Sequence, residues 1–328
     1  MSTSRKPEPG HVHETAEFLG DQFAEARRAC GEVVQKHQLV RYLAHYSQGA
    51  FDFSYAAHDI ESHDRSAMQR LGRQLGFTMS ALDRRLQEAR TGALIRTVLH
   101  TEYGAVMCGS VVPRQNVVGL CVDRTAVDHP GAPLSDAPEV RTMDKALSDL
   151  TTHMRARISL PSLNPGGWAS ADVVGVLTST DPAGAPRAEV ADEFADPRIV
   201  DACVGVVRPE DLQFVAYCTA GEVAVMADHF DHPSLAPFFT QISVEARRTF
   251  YRMFSRELGG VITRLNHTVG TAEPGGLLVR VVLDVEQGAI YFYRLAVGTY
   301  LVGVTIDQAR VRGADERIAR LAVECAPG

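Results

Sequence analysis

A chain of 328 residues, 45% hydrophobic and 22% charged, is long enough for two ordinary domains, each able to bury a core. Its net charge of −7 argues against an overall nucleic-acid binder, which needs a basic surface against phosphate. No apolar run approaches the ~20 residues of a membrane-spanning helix, the polar start MSTSRKPEPG does not read as a signal peptide, and six scattered cysteines without a C-x-x-C suit reduced, buried thiols in a cytoplasmic protein.

In chain order, residues 1–10 are expected to form a disordered tail. The spacing of Ala16, Phe18, Leu19, Phe23, Ala26, Cys30 and Val34 predicts a helix over 14–36. Leu39–Tyr46 and Ala50–Ala57, split at Ser47-Gln48-Gly49, read as a β-hairpin. After HDIESHD (58–64) comes a second helix, with Met68, Leu71, Leu75, Met79, Leu82 and Leu86 in a narrow apolar seam. A three-stranded meander over 92–123, a Pro- and Gly-rich loop (128–138) and a helix over 139–156 complete the first half. Residues 158–186, with Trp168 and eight Pro or Gly, read as a linker. The order then repeats: a helix over 187–206, a hairpin at Leu212–Tyr217 and Glu222–Ala227, DHFDHPS (228–234), and a long helix over 234–267. The apolar face expected for that helix is Phe239, Ile242, Ala246, Phe250, Met253, Leu258, Ile262 and Leu265. A second meander and a terminal helix close the chain.

The repetition is visible residue by residue. Residues 92–127 laid on 276–311 at a constant offset of 184 share 12 identities in 36 positions, where chance gives roughly two. They include Gly92/Gly276, Arg96/Arg280, Val98/Val282, Glu102/Glu286, Gly119/Gly303 and Asp123/Asp307. The expected fold class is therefore α+β. Residues 11–157 and 187–328 form two modules, each a five-stranded antiparallel sheet with a long helix inserted after its second strand. Strand three of each would be a long apolar edge unless paired.

Several residues are candidates for chemistry. His58 and His63 in the first inserted loop, and Asp228, His229 and His232 in the second, combine imidazole and carboxylate as Zn²⁺ or Fe²⁺ sites do. The same residues also suit helix caps, since no H-E-x-x-H spacing fixes them on one helix face. His11, His13 and Glu14 form a third, weaker group. Arg248, Arg252 and Arg256 at i, i+4 spacing read either as a ridge for an acidic partner or as a solvated helix face. Cys108 reads as core. Asp123 and Asp307 read as capping groups, with a catalytic role as the alternative. Neither a G-x-x-x-x-G-K-[ST] nor a strand-linked G-x-G-x-x-G is present, and no cofactor is expected.

The ending YLVGVTIDQARVRGADERIARLA (300–322), with the order of elements before it, resembles the Roadblock/LC7 family of the profilin-like group. Tyr300–Ile306, Gly313 and Arg317–Leu321 carry the resemblance, over most of 197–323. Residues 128–138 enlarge the loop of the first copy, whose last helix lacks the Arg/Leu ending. The resemblance implies pairing of two modules through their third strands, here 93–101 and 277–285, so that the duplication forms a pseudo-dimer within one chain. It also implies a non-enzymatic regulator or scaffold for a protein partner, in bacterial members commonly a small Ras-like GTPase, and it leaves further homo-oligomerisation open. A sensor of GAF/PAS type that binds a small molecule or metal is the alternative expectation.

Overall fold

The computed structural model describes residues 10–122, 138–162, 184–191, 196–270, 272 and 275–326. Among them are twelve β-strands and six α-helices. The first copy runs β1 (His11–Thr15), α1 (Ala24–Lys36), β2 (Val40–Ser47), β3 (Ala50–Ala57), α2 (Ser62–Leu86), β4 (Leu94–Thr101), β5 (Gly104–Val112), β6 (Gln115–Val122) and α3 (Pro138–Arg157). The second runs β7 (Arg187–Val190), α4 (Pro197–Val206), β8 (Phe214–Thr219), β9 (Glu222–Asp228), α5 (Val244–Val269), β10 (Leu278–Val285), β11 (Gly288–Ala296), β12 (Thr299–Thr305) and α6 (Val311–Glu324). Element for element the two orders agree, and the class is α+β with antiparallel pairing.

Each copy carries six strands rather than the expected five. The additional one opens each copy, where a helix is expected. His11–Thr15 pairs with β3, and α1 begins only at Ala24. Arg187–Val190 pairs with β9, and α4 begins at Pro197. Both are short edge strands with little buried surface, so they leave no apolar rhythm in the sequence. The start of α4 has a chemical mark: Pro197 sits at its first position, and the Asp196 carboxylate accepts the Arg198 amide at 2.9 Å. The long second-copy helix also starts late, at Val244, after a 3-10 turn over Pro233–Phe239.

The chain divides into two compact units. Unit one is Met1–Thr78, Tyr103–Pro161 and Thr268–Gly276; unit two is Met79–Glu102, Ser162–His267 and Leu277–Gly328. In unit one the strands lie in the order β1-β3-β2-β6-β5. Successive side chains of a strand point to opposite faces, and the two faces are covered differently. Gly119 of β6 faces Met143 and Leu147 of α3, which packs with α1 on that side. Tyr46 of β2 points the other way, against Gly72 of α2, and its hydroxyl donates to the Gln69 carbonyl at 3.2 Å.

Unit two has the order β4-β10-β11-β12-β8-β9-β7. Here α4 and α6 cover one face, where Gly303 meets Ile318 and Leu212. On the other face Tyr300 reaches Gly259 of α5 and donates to the Ser255 carbonyl at 2.9 Å. Gly259 thus provides a notch for a sheet tyrosine, the role Gly72 has in unit one. Under α5 the rings of Phe214, Phe230 and Tyr251 pack with centroids 5.7–6.0 Å apart. Each fully buried ring of this kind contributes about 1.5–3 kcal/mol of apolar burial. The apolar face of α5 differs from expectation along its first half: Phe239 and Ile242 precede the helix, Ala246 and Met253 are exposed, and Tyr251 and Phe254 are buried.

Candidate functional site: the β4–β10 seam and the outer face of α5

In unit two β4 pairs antiparallel with β10, and Val98 lies opposite Val282. These two are the same position of the duplicated sequence, so each strand meets its own copy about a local two-fold relation. Identities shared by the two copies close the ladder at both ends. The Glu286 carboxylate accepts the Ala93 amide at 3.1 Å, and Glu102 accepts the Leu277 amide at 3.1 Å. Gly92 and Gly276 both have φ +79°, and a Cβ at Gly92 would lie 2.3 Å from the Glu286 carboxylate. The long helices brace the strand starts alike: Asp83 accepts the Leu94 amide at 2.7 Å, and Asn266 accepts the Leu278 amide at 2.7 Å.

The two flanking corners of this seam are built from equivalent positions but differ in charge. At one, Arg96 lies opposite Asp284 and donates to it at 2.7 Å, with both groups buried. At the other, Arg280 lies opposite His100 and donates to its Nε2 at 2.7 Å. Its charge is balanced instead by Asp315 of α6 at 2.5 Å, which also accepts the Tyr293 hydroxyl at 3.0 Å. Burial and the neighbouring Arg280 charge hold His100 well below the ordinary imidazole range, so it is neutral. Burial pulls the Arg280 guanidinium down, and the charge and hydrogen bond of Asp315 together with Tyr293 and Tyr291 raise it further than burial lowers it, which keeps the group protonated.

The second His/Asp loop and the arginine row meet at one residue. Arg248 is 2% exposed and donates to Asp228 at 2.7 and 2.9 Å, to Asp231 at 2.5 Å and to Glu245 at 2.7 Å. Burial lowers this guanidinium, and the bonds and charge of Asp228, with those of Asp231 and Glu245, raise it further than burial lowers it. A guanidinium therefore sits where the carboxylates converge. His229 is nearly buried and lowered by burial, and His232 caps the following turn with Nδ1 3.3 Å from the Ser234 amide. In the first loop His58 is exposed and His63 lies against Glu61 and Asp64 at 3.4 and 3.2 Å. Among the described residues no three His, Cys, Asp or Glu groups converge as metal ligands do.

Arg252 and Arg256 lie on the solvent face of α5, paired with Glu189 and Glu222. Exposed Met253 sits beside them. Glu14 accepts from Arg65 and Gln69, and His13 stacks on Tyr55, so the N-terminal group is tied into unit one. Cys108 is buried, and burial raises its thiol. Asp307 accepts the Ala309 amide at 2.9 Å as a cap, and Asp123 lies outside the described residues. Two features carry no local motif in the sequence. One is a buried cluster in unit one, where His45 Nδ1 lies 2.7 Å from Asp52, which also accepts the Ser47 hydroxyl at 2.7 Å. The other is a crevice of about 1090 Å³ in unit two between α4 and α6, bordered by Asp196, Arg198, Tyr217, Arg317, Arg320 and Cys325.

No family model matches the chain, and no curated protein matches it in sequence.

Proposed function

We propose that this chain is a non-enzymatic, tandem Roadblock/LC7-like regulator or scaffold that binds a protein partner, a small Ras-like GTPase. The observation that carries the reading is the Val98–Val282 pairing, in which duplicated third strands meet at their equivalent positions. That is the internal pairing the family resemblance implies. The charged candidates support a binding role over chemistry, since Arg248 and Asp228 pair with each other inside the fold. The outer face of α5 offers Arg252, Arg256 and Met253, residue types enriched in interface cores. Activation of the partner then works by ordering its switch loops rather than by donating a reacting group.

The test is calorimetric titration of the purified chain with each Ras-like GTPase of its host, loaded with GDP or a GTP analogue. Saturable, nucleotide-dependent binding is expected, weakened about tenfold or more, some 1.4 kcal/mol, by R252E/M253D/R256E. Failure of every such GTPase to bind at ~100 μM overturns the reading. The crevice between α4 and α6 favours a second reading, small-molecule binding, because it is concave and lined by both apolar and charged side chains.

A further inference from the structure

Three arginines border the crevice between α4 and α6, and they are not equivalent. Arg317 is held by Asp211 through bonds of 2.7–3.0 Å, and Arg198 is held by Asp196 at 2.7–3.3 Å. Arg320 of α6 forms no ion pair and no hydrogen bond among the described residues, and the same holds for Glu324 of α6 and Asp201 of α4, which border the same crevice. Arg320 and Glu324 are four positions apart, a spacing at which opposite charges on a helix can meet. Two turns earlier on α6, Arg312 and Glu316 have that spacing and do pair, at 3.0 Å. Arg320 and Glu324 thus present neighbouring opposite charges, each with its bonding capacity unused.

The rest of the crevice is apolar or small. Ile199, Ala202 and Leu321 line it, and α4 leaves a gap at Gly205, where a Cβ would have no atom within 4 Å.

These features select among ligands. A guanidinium binds a carboxylate through parallel N–H groups, a carboxylate accepts from an ammonium, and apolar walls take a hydrocarbon chain. A simple organic acid would face the like charges of Glu324 and Asp201, and a simple amine would face Arg320. A molecule with both charges on one carbon, and an apolar chain beyond, meets every requirement.

We propose that the crevice between α4 and α6 binds a free α-amino acid with an apolar side chain, its carboxylate on Arg320 and its ammonium on Glu324. This rests on the small-molecule reading of the crevice and is independent of the GTPase reading. Asp201 adds negative potential from the wall of α4. The ligand's side chain lies against Ile199, Ala202 and Leu321.

Calorimetric titration of the full chain with L-leucine tests this, beside 4-methylpentanoate, which lacks the ammonium, and 3-methylbutylamine, which lacks the carboxylate. Leucine is expected to bind with a Kd below about 1 mM, and each analogue about tenfold or more weaker. R320Q and E324Q each weaken leucine binding about tenfold and leave urea unfolding unchanged, because neither side chain has a bond to lose. G205L fills the gap and abolishes binding; should it fail to fold, R320Q decides. Leucine that fails to bind at ~10 mM, or that binds R320Q as it binds the wild type, overturns the proposal. An analogue that binds as tightly as leucine, and is lost in G205L, also overturns the amino-acid assignment while the crevice remains a small-molecule site. The crevice reading itself falls separately, if a fragment screen finds no ligand whose binding G205L removes.

Discussion

The Arg96–Asp284 corner and the Arg280–His100 corner occupy equivalent positions of one strand pair, yet only the first has an acid across the ladder. At the second, α6 supplies the counter-charge through Asp315. A buried guanidinium needs a carboxylate, but the duplication leaves its source free to move from the facing strand to the covering helix. One corner therefore pairs β4 with β10 directly, and the other couples α6 to β10.

The largest effect is expected at the first corner. D284A strands Arg96 in the interior and lowers stability by about 3–5 kcal/mol in urea unfolding, since removal of one partner leaves an uncompensated charge. R248A does the same to the fully buried Asp228 carboxylate, and its loss is about 3 kcal/mol. A loss below about 1 kcal/mol at either site, the level of a surface pair, contradicts the assigned burial.

The shared glycines sharpen the comparison between the copies. A Cβ at Gly303 meets Ile318 at 2.3 Å and Leu212 at 3.1 Å, whereas at Gly119 it meets the Met143 terminal methyl at 2.1 Å. Met143 can swing its flexible tip aside, but a β-branched residue packed between helix and sheet cannot. G303A is therefore expected to cost about 1–3 kcal/mol and G119A less, measured by the same denaturation. Equal costs would show that the two sites pack alike.

At the second corner the prediction concerns pH. His100 is neutral in the fold and protonates in the unfolded chain below its ordinary value of 6.5. The unfolded state then binds the additional proton, so stability is lost as pH falls below 6.5 and is fully present above it. The slope from one such group approaches about 1.4 kcal/mol per pH unit. H100Q keeps an acceptor for Arg280 and flattens this slope; the remainder comes from His229 and other lowered histidines. An unchanged slope in H100Q places the titration elsewhere. The smallest stability effect, below about 1 kcal/mol each, is expected from R252E and R256E, whose ion pairs are exposed.

The residues that bound the seam were legible in the sequence through repetition, while the pairing of 93–101 with 277–285 was an expectation of the family resemblance. The constant offset aligned Gly92 with Gly276, Glu102 with Glu286 and Arg96 with Arg280, and these residues terminate and flank the β4–β10 ladder. The edge strands were not legible, since His11–Thr15 and Arg187–Val190 bury too little to impose a period of two. The arginine row misled for a related reason. Spacing places Arg248, Arg252 and Arg256 on one ridge, but α5 rotates Arg248 toward Asp228 and leaves the other two in solvent. A carboxylate loop and an arginine row read separately were each incomplete; their shared cause is a three-dimensional pairing.

A charge swap across the seam tests the central claim most directly. R96D and D284R each place like charges face to face in the interior and should each unfold at much lower urea. The double variant R96D/D284R restores the opposite-sign pair and should recover most of that loss. A double variant whose destabilisation equals the sum of the single ones would mean that Arg96 and Asp284 do not face each other, and that β4 and β10 are not joined in this register.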